Sequence, residues 1–450
     1  MGSLHDTIAA LATPAGTAAI GVLRASGPEV AALTRAIFGE LPEARLARHA
    51  DYRDVQGEAV DDVLFTFFAG PASYTGEDTL EISCHGSPFI VQKILEDLLA
   101  RGCRMAEPGE FTKRAFLGGR MDLSQAEAVM DLIHARSERA LAAANRQLRG
   151  SLGRRMEELI ALLLRALALV EAYIDFPDED LPAENREALL AQLKELRTKT
   201  QRLVATNHYG QILREGIRAV IVGEPNAGKS SLLNRLVGRE RALVSPEPGT
   251  TRDYLEEMVS IGQHALRLVD TAGLNEKPGE IERRGIEKTL EQAAEADLFI
   301  WVVDASVGVG GALPAGLRGR MSAANTVTVF NKCDLAPGFV GPEGAWNPVL
   351  LSATRGDGVE ELIRKLEGRA ESFRTEVGED WVAVNARHAD ALRRAEIALD
   401  SAIGGMKVGL SSELVASHLR DALAAYGEIA GRVDNERMLD VLFSSFCIGK

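Results

Sequence analysis

Nine residues near the middle of the sequence, GEPNAGKSS from Gly223 to Ser231, have the types and spacing needed to bind a nucleotide phosphate. They fit the pattern G-x-x-x-x-G-K-[ST] and follow the apolar run RAVIV, as expected of a strand that leads into a phosphate-binding loop. The glycines let backbone N–H groups close around a phosphate, and the helix predicted from Lys229 adds its positive end. Lys229 is predicted to reach the β- and γ-phosphates, and Ser230 to ligate Mg²⁺.

Four further segments follow in the order of a GTPase domain. PGTTRD (Pro248 to Asp253) has a threonine pair suited to closing on Mg²⁺, and VDTAG supplies Asp270 for the magnesium shell and Gly273 for the γ-phosphate. NKCD offers the Asp334 carboxylate to N1 and the 2-amino group of guanine, and SAT (Ser352 to Thr354) offers backbone groups to guanine O6. Ordinary Gly-rich turns rarely produce five motifs in this order, so the sequence predicts a GTPase domain.

The catalytic group is less evident from the residues alone. Leu274 follows DTAG, where a Ras-type GTPase has a glutamine that positions water. Leucine cannot orient water, and Glu280, Glu282 and Glu287 are the nearby candidates, although spacing alone favours a solvated helix face for each. The amide oxygen of Asn226 could hold a monovalent cation beside the phosphates, but an asparagine that only shapes the loop fits equally well.

Changes of composition divide the chain into domains. Residues 1–118 combine short strand-like runs, Gly/Pro turns and one helical stretch, which predicts an α+β domain. Residues 119–214 and 376–450 have helical periodicity and predict the two halves of a discontinuous helical domain. Between them, residues 215–375 alternate strands with helices, which indicates an inserted α/β domain with a parallel, doubly wound sheet.

Composition excludes several classes of protein. The chain has 450 residues and a formal net charge of -14, which argues against a general coat for nucleic acid but leaves room for a local basic patch. Its four cysteines are scattered without zinc spacing. The start lacks a secretory signal, and the longest apolar stretch, residues 159–170, is too short to span a bilayer and contains Arg165. We therefore expect a cytoplasmic protein.

Beyond these motifs, the chain resembles the bacterial tRNA-modification GTPase family MnmE (TrmE) over essentially its whole length. The residues that carry the resemblance are HDTIAALATPAG, SYTGEDTLEISCHG, EPGEFTKRAF, MDLSQAEAVMDLI, AYIDFPDED, GEPNAGKSSLLN, PGTTRD, DTAGLN, NKCD and FSSFCIGK. The resemblance implies a folate-binding domain that also forms a constitutive homodimer, and a discontinuous helical domain. It further implies a Ras-like P-loop GTPase domain that potassium activates when two such GTPase domains meet. With the FAD-dependent partner MnmG, this family adds an aminomethyl or carboxymethylaminomethyl group to C5 of the wobble uridine of certain tRNAs. The one-carbon unit comes from a tetrahydrofolate derivative, and FAD belongs only to the partner.

The resemblance also assigns roles to individual residues. It implies that Glu282 orients the attacking water and that Ser230 and Thr251 ligate Mg²⁺. Asn226, Ser245, Glu247 and Thr250 correspond to the potassium ligands. The contacts expected with GTP are Asn226, Ala227, Gly228, Lys229, Ser230, Ser231, Ser245, Gly249, Thr250, Thr251, Asp270, Thr271, Ala272, Gly273, Asn331, Lys332, Asp334, Ser352, Ala353 and Thr354.

In the N-terminal domain, Arg24 and Glu81 match folate-contacting positions. Arg120 stands where the family can have lysine, which keeps the charge but changes the geometry of the donor. Without the resemblance, a surface ion pair and a solvated strand residue would explain Arg24 and Glu81 as well. The segment FTKRAF could touch tRNA or folate carboxylates, or be a solvated helix edge. In SCHG, a buried Cys84 beside a turn histidine is favoured over a metal site or a nucleophile, and Cys333 is expected to be a packing residue.

The C-terminal sequence CIGK has its cysteine at the position of a prenylation box. Gly449 and Lys450 fit that motif poorly, so a membrane-anchored signalling GTPase is disfavoured. The resemblance implies instead that the tail returns to the folate pocket, where Lys450 contacts folate and Cys447 is either catalytic or structural. A GTPase switch in ribosome assembly is the other alternative, although no basic RNA-binding module is visible beside the GTPase motifs.

Overall fold

The structure is a computed structural model that describes residues 6–175, 183–239, 256–270, 294–307, 317, 319–375, 382–431, 436–444 and 446–449. The chain forms two compact units, one of Met1–Met130 with Gly427–Lys450 and the other of Asp131–Tyr426, here called unit 1 and unit 2. The finer division into four domains stays a prediction. No helix in the described ranges is both long enough and apolar enough to cross a bilayer.

Along the described chain, the strands are β1 Ile8–Leu11, β2 Ile20–Ser26, β3 Ala47–Arg53, β4 Ala59–Phe68, β5 Thr79–His85, β6 Arg104–Met105, β7 Ile217–Gly223, β8 Glu256–Ile261, β9 His264–Asp270, β10 Leu298–Asp304, β11 Thr326–Asn331 and β12 Val349–Leu350. The helices are α1 Val30–Phe38, α2 Pro88–Ala100, α3 Glu110–Leu117, α4 Leu123–Ile133, α5 Glu138–Leu148, α6 Ser151–Asp175, α7 Ala183–Ala205, α8 Asn207–Glu215, α9 Lys229–Arg239, α10 Val359–Thr375, α11 Ala386–Val408, α12 Ser412–Ala430 and α13 Glu436–Ser444.

Unit 1 contains a six-stranded sheet in the order β3-β4-β5-β2-β1-β6, antiparallel except for the pairing of β1 with β6. In β4, Val63, Phe65 and Phe67 alternate with more exposed residues, so one face of the strand enters the core with α1 and α2. The edge strand β3 buries only Tyr52. Because apolar residues do not alternate along β3, the sequence did not predict this strand.

Unit 2 contains a second six-stranded sheet in the order β12-β11-β10-β7-β9-β8. Its neighbouring strands are parallel except that the edge strand β8 pairs antiparallel with β9, which the sequence did not predict. Strand β7 is buried on both faces, since Ile221 packs in one core with α9 and α10 while Val222 packs in another with Phe299. The sheet is therefore the doubly wound type that the sequence predicted.

The helical stretch after residue 121 is divided at two points. Ser137 caps α5 by accepting a hydrogen bond from the Ala140 backbone N–H at 3.1 Å. Gly150 separates α5 from α6 with a φ of 79°, which only glycine adopts without strain. The predicted long amphipathic helices are therefore α4, α5 and the 25-residue α6.

Candidate functional site

The loop between β7 and α9 is shaped by glycines at both ends. Gly223 has a φ of 154°, and a Cβ added there would lie 2.2 Å from the Val302 carbonyl oxygen. Gly228 has a φ of 93°, and its Cβ would lie 2.1 Å from Nδ2 of Asn331. Any side chain at either position would displace the loop from its neighbours, which explains both glycines of the phosphate-binding pattern.

Lys229 and two serines stand at the start of α9. The Lys229 ammonium donates to the carbonyl oxygens of Gly223 at 3.0 Å and Glu224 at 2.9 Å, so it lies over the loop. Ser230 and Ser231 follow in the first helical turn and are exposed. The loop, the cation and the N-terminal end of the helix together suit a phosphate group. Within the loop, Asn226 is exposed and has a left-handed φ of 63°.

Asn331, at the end of β11, connects the phosphate loop to a second loop. Its buried amide donates from Nδ2 to the Ala227 carbonyl at 2.9 Å, and Oδ1 accepts from the Ala353 N–H at 3.0 Å. Arg235 of α9 adds a hydrogen bond from Nε to the Ala353 carbonyl at 2.9 Å. The motifs GEPNAGKSS, NKCD and SAT are therefore held together by side-chain to backbone hydrogen bonds.

The Asp334 carboxylate has an unfilled acceptor. Within the described ranges, its buried Oδ1 has no hydrogen-bond partner, and its Oδ2 lies 3.8 Å from Nε of Arg355. A buried carboxylate oxygen without a donor is costly, and the N1–H and 2-amino groups of guanine would satisfy it. The residues present thus fit a guanine base.

Lys332, between Asn331 and Asp334, has a left-handed φ of 63° and forms a 2.6 Å ion pair with Asp304 of β10. Burial raises the pKa of Asp304, but the hydrogen bonds from Lys332 and Ser306 outweigh it and hold the pKa below its usual value. Cys333 is partly buried, and burial raises the pKa of its thiol. Ser352 is buried, with its Oγ 3.1 Å from the Thr354 hydroxyl.

The backbone of Asp270 ends β9 beside Ile221 of β7, so DTAG begins next to the phosphate loop. Ten of the predicted GTP, metal, catalytic and folate positions lie outside the described residues. They are Ser245, Glu247, Gly249, Thr250, Thr251, Thr271, Ala272, Gly273, Glu282 and Lys450.

A second candidate site lies in unit 1, where β2 pairs with β5. Arg24 and Glu81 are register partners, and Oε1 of Glu81 accepts from Nε of Arg24 at 3.0 Å and from Nη2 at 2.6 Å. The guanidinium carbon lies 5.6 Å from the ring centroid of Tyr74 and 5.7 Å from that of Phe111. Aromatic rings flank this cation and suit a flat heterocyclic ligand, yet sequence patterns did not identify Tyr74 or Phe111.

Arg120 contacts the loop that carries Tyr74. A Cβ at Gly76 would lie 3.3 Å from Cγ of Arg120, so the arginine stem lies against that glycine. Arg120 itself is exposed. Arg24 and Glu81 are in direct contact, whereas Arg120 reaches the same neighbourhood through the loop of residues 73–77.

The C-terminal tail packs in unit 1 and approaches Arg24. The Gly449 carbonyl accepts a 3.4 Å hydrogen bond from Nη1 of Arg24, and a Cβ at Gly449 would lie 2.2 Å from the Leu11 carbonyl oxygen. The Cys447 carbonyl accepts from the Gly109 N–H at 3.2 Å, and the Cys447 side chain is exposed. Upstream, Phe443 and Phe446 are buried against Leu123 and Ala126.

In FTKRAF, Arg114 neither contacts solvent at a helix edge nor is open to tRNA or folate, the two alternatives that the sequence left for this segment. Arg114 is 3% exposed, donates from Nη2 to Asp6 at 2.6 Å and to Glu110 at 3.0 Å, and from Nη1 to Glu77. Glu77 also accepts from Ser26 at 2.8 Å. This ion-pair network fixes the loop of residues 73–77 from beneath, so Arg114 is neither a solvated side chain nor an open anion-binding group.

The remaining cysteines lie in apolar surroundings. Cys84 and Cys103 are buried, and burial raises the pKa of each thiol to about 11. His85 is exposed and pairs with Asp61 at 2.8 Å. Within the described ranges, no group of three or more His, Cys, Asp or Glu residues is arranged to hold a metal ion.

The phosphate loop on a doubly wound sheet, with its NKCD and SAT loops, defines a P-loop GTPase domain. Two family models match the chain, "GTP-binding protein TrmE N-terminus" over residues 7–120 and "MnmE helical domain" over residues 123–447. The chain is 57% identical to the tRNA modification GTPase MnmE of Opitutus terrae, with 100% of both chains covered. It is 41% identical to that of Geobacter sulfurreducens, covering 99% of this chain and 100% of the relative. The chain therefore belongs to the MnmE (TrmE) family of tRNA modification GTPases.

Among solved structures, the FeoB G-domain of Methanococcus jannaschii matches 34% of this chain and 97% of its own, with 22% identity and a TM-score of 0.26.

Proposed function

We propose that this chain is a potassium-activated GTPase that acts with the FAD-dependent partner MnmG on the wobble uridine of certain tRNAs. The pair would add an aminomethyl or carboxymethylaminomethyl group to C5, with a tetrahydrofolate derivative as the one-carbon donor. The observation that carries the proposal is the 57% identity, over the whole chain, to a protein named tRNA modification GTPase MnmE. The predicted homodimer and the cytoplasmic location belong to the same proposal.

In the first part of the proposed function, the GTPase domain hydrolyses GTP to GDP and phosphate. The buried acceptor of Asp334 supports guanine selection, and the Asn331 amide keeps that carboxylate's loop in register with the phosphate loop. Lys229 would neutralise charge on the β- and γ-phosphates, and Ser230 would hold Mg²⁺ together with Thr251. Asn226 would ligate potassium with Ser245, Glu247 and Thr250, while Glu282 would orient the attacking water.

In the second part of the proposed function, unit 1 binds the one-carbon donor. The tetrahydrofolate derivative supplies the carbon, and the chain binds and orients it. Arg24, held by Glu81 and flanked by two aromatic rings, offers a fixed donor to the pterin or to a carboxylate. Arg120 and Lys450 would add positive charge. The approach of the tail to Arg24 supports a role of Cys447 at this site, either in chemistry or in packing.

The test is mass spectrometry of wobble uridine in tRNA from cells that lack the gene, with wild-type complementation. Loss of the modified nucleosides, restored by the wild-type gene, is the expected result. An unchanged nucleoside profile would contradict the proposal and favour a GTPase switch in ribosome assembly.

Potassium activation is tested separately by measuring GTP hydrolysis in KCl and in NaCl at equal ionic strength. We expect a sharply lower rate in NaCl, because Na⁺ is too small for a site built for potassium. Equal rates in both salts would remove Asn226 from its proposed role.

A further inference from the structure

Arg235 of α9 holds the loop that carries the motif SAT. Its Nε donates to the Ala353 carbonyl at 2.9 Å, and its Nη2 donates to the Thr354 carbonyl. Its Nη1 lies 3.7 Å from the position that a Cβ at Gly356 would occupy, so the guanidinium stands against the whole turn. Because the two carbonyls belong to consecutive peptide units, this one half-buried side chain fixes the orientation of both units.

The first of these peptide units carries an available donor. The peptide bond between Ala353 and Thr354 is trans, so its carbonyl and its N–H point in opposite directions. Since Arg235 binds the carbonyl, the Thr354 N–H points away from Arg235. In the described part of the chain this N–H donates no hydrogen bond, whereas the other N–H groups of residues 352–356 each have an acceptor. Thr354 is exposed, so a ligand can reach the donor.

The Thr354 N–H complements the unfilled acceptor of Asp334 described above. The two loops are neighbours, because the Ala353 N–H donates to Asn331 at 3.0 Å and Nε of Arg355 lies 3.8 Å from Oδ2 of Asp334. On the edge of guanine, the N1–H donor is next to the O6 acceptor, whereas adenine has an acceptor and a donor at these two places. An acceptor from Asp334 and a donor from Thr354 therefore fit guanine and not adenine.

We infer that Arg235 is a positioning residue for base recognition, which orients the Ala353–Thr354 peptide so that the Thr354 N–H donates to O6 of guanine. The inference deepens the base-recognition part of the proposed function and rests on it. A cationic donor on the carbonyl also polarises the peptide, which strengthens its N–H as a donor. Lysine carries an ammonium in place of the guanidinium fork, so it does not reproduce both hydrogen bonds in the same geometry.

The test measures the affinities of full-length wild type, R235M and R235K for unlabelled diphosphates that displace a fluorescent GDP analogue. GDP presents O6, 6-thioguanosine diphosphate replaces it with sulfur, which is a weaker acceptor, and inosine diphosphate keeps O6 but lacks the 2-amino group. Methionine keeps an apolar stem at residue 235 and removes the donors. Thermal unfolding curves check that each variant is folded.

The matched control is R369M on α10. Arg369 also donates from Nη2 to a backbone carbonyl, that of Ala323, and to Oδ1 of Asn347 at 3.0 Å. These two residues precede β11 and β12, at the opposite end of the strands from the SAT and NKCD loops. The control therefore removes an arginine that holds loops of the same sheet without touching the proposed base site.

R235M is expected to bind GDP and inosine diphosphate each about 10-fold more weakly, but 6-thioguanosine diphosphate only about 2-fold more weakly. The difference arises because the sulfur gains little from the Thr354 N–H in the wild type. R235K should fall between wild type and R235M for GDP, and R369M should stay within about 2-fold of wild type for every nucleotide. In GTP hydrolysis, R235M should raise KM and keep kcat within about 2-fold of wild type, the pattern of lost ground-state binding.

Equal losses for GDP and 6-thioguanosine diphosphate in R235M would overturn the inference, because Arg235 would then only stabilise the fold. Wild-type GDP affinity in R235M, or an equal loss in R369M, would overturn it as well. If R235M does not fold, R235K carries the same comparison. The proposed function is judged separately: if cells that lack the gene keep their wobble nucleosides while R235M still loses O6-dependent affinity, only the proposed function fails.

Discussion

Arg24 of β2 donates two hydrogen bonds to the same carboxylate oxygen of Glu81 on β5, from Nε at 3.0 Å and from Nη2 at 2.6 Å. The ion pair leaves Nη1 of Arg24 directed to the Gly449 carbonyl at 3.4 Å. The guanidinium orientation is therefore set by the sheet and the tail together, before any ligand binds.

Replacement of Arg24 should reduce folate binding without changing GTP hydrolysis. R24Q is expected to weaken binding of 5-formyltetrahydrofolate by at least about 10-fold, because a charge-assisted hydrogen bond contributes roughly 1.5 to 3 kcal/mol. Isothermal titration calorimetry measures this affinity, and GTP hydrolysis is followed in parallel. The matched control is R53Q, which removes an exposed arginine of the same sheet. Folate binding unchanged in R24Q would disprove the assignment.

Asp334 should determine the choice of base. In D334N, the carboxylate no longer accepts from both N1 and the 2-amino group, so GTP affinity should fall about 100-fold while xanthosine triphosphate binds better. Titration of both nucleotides measures the change, and D390N, an exposed carboxylate on α11, is the control. Retained GTP selectivity in D334N would rule out its role in base recognition.

Two glycines of the α9 region should respond in opposite ways to the same substitution. G228A places a methyl group 2.1 Å from Nδ2 of Asn331 and strains a φ of 93°, so GTP affinity should fall by more than about 10-fold. G238A meets no atom within 4 Å on a helix, where alanine is favoured by up to about 1 kcal/mol. Nucleotide titration and thermal unfolding test the pair. Wild-type affinity in G228A would contradict the geometry.

The turn of the β8–β9 hairpin is held by one carboxylate of α10. Glu371 accepts from Nε2 of His264 at 3.0 Å and from Nη2 of Arg139 at 3.3 Å, and His264 is 3% exposed. E371A would leave the buried imidazole without this partner, so hydrogen exchange across residues 256–264 should become several-fold faster. E361A, elsewhere on α10, is the control. Equal protection in E371A and wild type would show that the hairpin does not depend on Glu371.

Acid should weaken the ion-pair network beneath the 73–77 loop. The hydrogen bond from Arg104 lowers the pKa of Asp6. Burial raises the pKa of Glu110, but the hydrogen bonds from Arg104, the Glu107 backbone and Arg114 outweigh burial and lower it. Both folded-state pKa values lie below the ordinary values of 3.8 for Asp and 4.5 for Glu. Their stabilisation is therefore present above those values and lost as pH falls through the folded pKa.

We expect the unfolding midpoint temperature of the wild type to decrease once the pH is lowered below about 4.5. The midpoint temperature of D6N/E110Q should be lower than wild type at pH 7 and should decrease less as the pH is lowered. Melting curves from pH 7 to pH 3 measure this difference. Parallel curves for the two proteins would contradict a contribution from this pair.

Sequence predicted the elements whose chemistry is encoded locally. The phosphate loop lies between β7 and α9 as expected, because its two glycines and Lys229 act at fixed spacing along the chain. The bridging role of Asn331 was not predicted, since Ala227 and Ala353 become its neighbours only when three strands align.

The surroundings of the second site were also outside the reach of sequence patterns. Tyr74 and Phe111 reach Arg24 from different segments, and no periodicity marks them. The burial of Arg114 was not predicted because two of its three carboxylate partners, Asp6 and Glu77, lie more than 35 residues away along the chain. Burial of charge depends on tertiary pairing, which local composition does not encode.

Unit 1 is assembled from both ends of the polypeptide, Met1–Met130 and Gly427–Lys450. A ribosome elongating at 5–20 residues per second takes roughly 15 to 60 s to make the intervening residues 131–426. During that time, the N-terminal part of unit 1 lacks the C-terminal segment whose Phe443 and Phe446 pack on Leu123. A chain that stops before Gly427 would therefore retain the GTPase motifs but lack the contacts of Phe443 and Phe446 with Leu123 and the Gly449 carbonyl that accepts from Arg24.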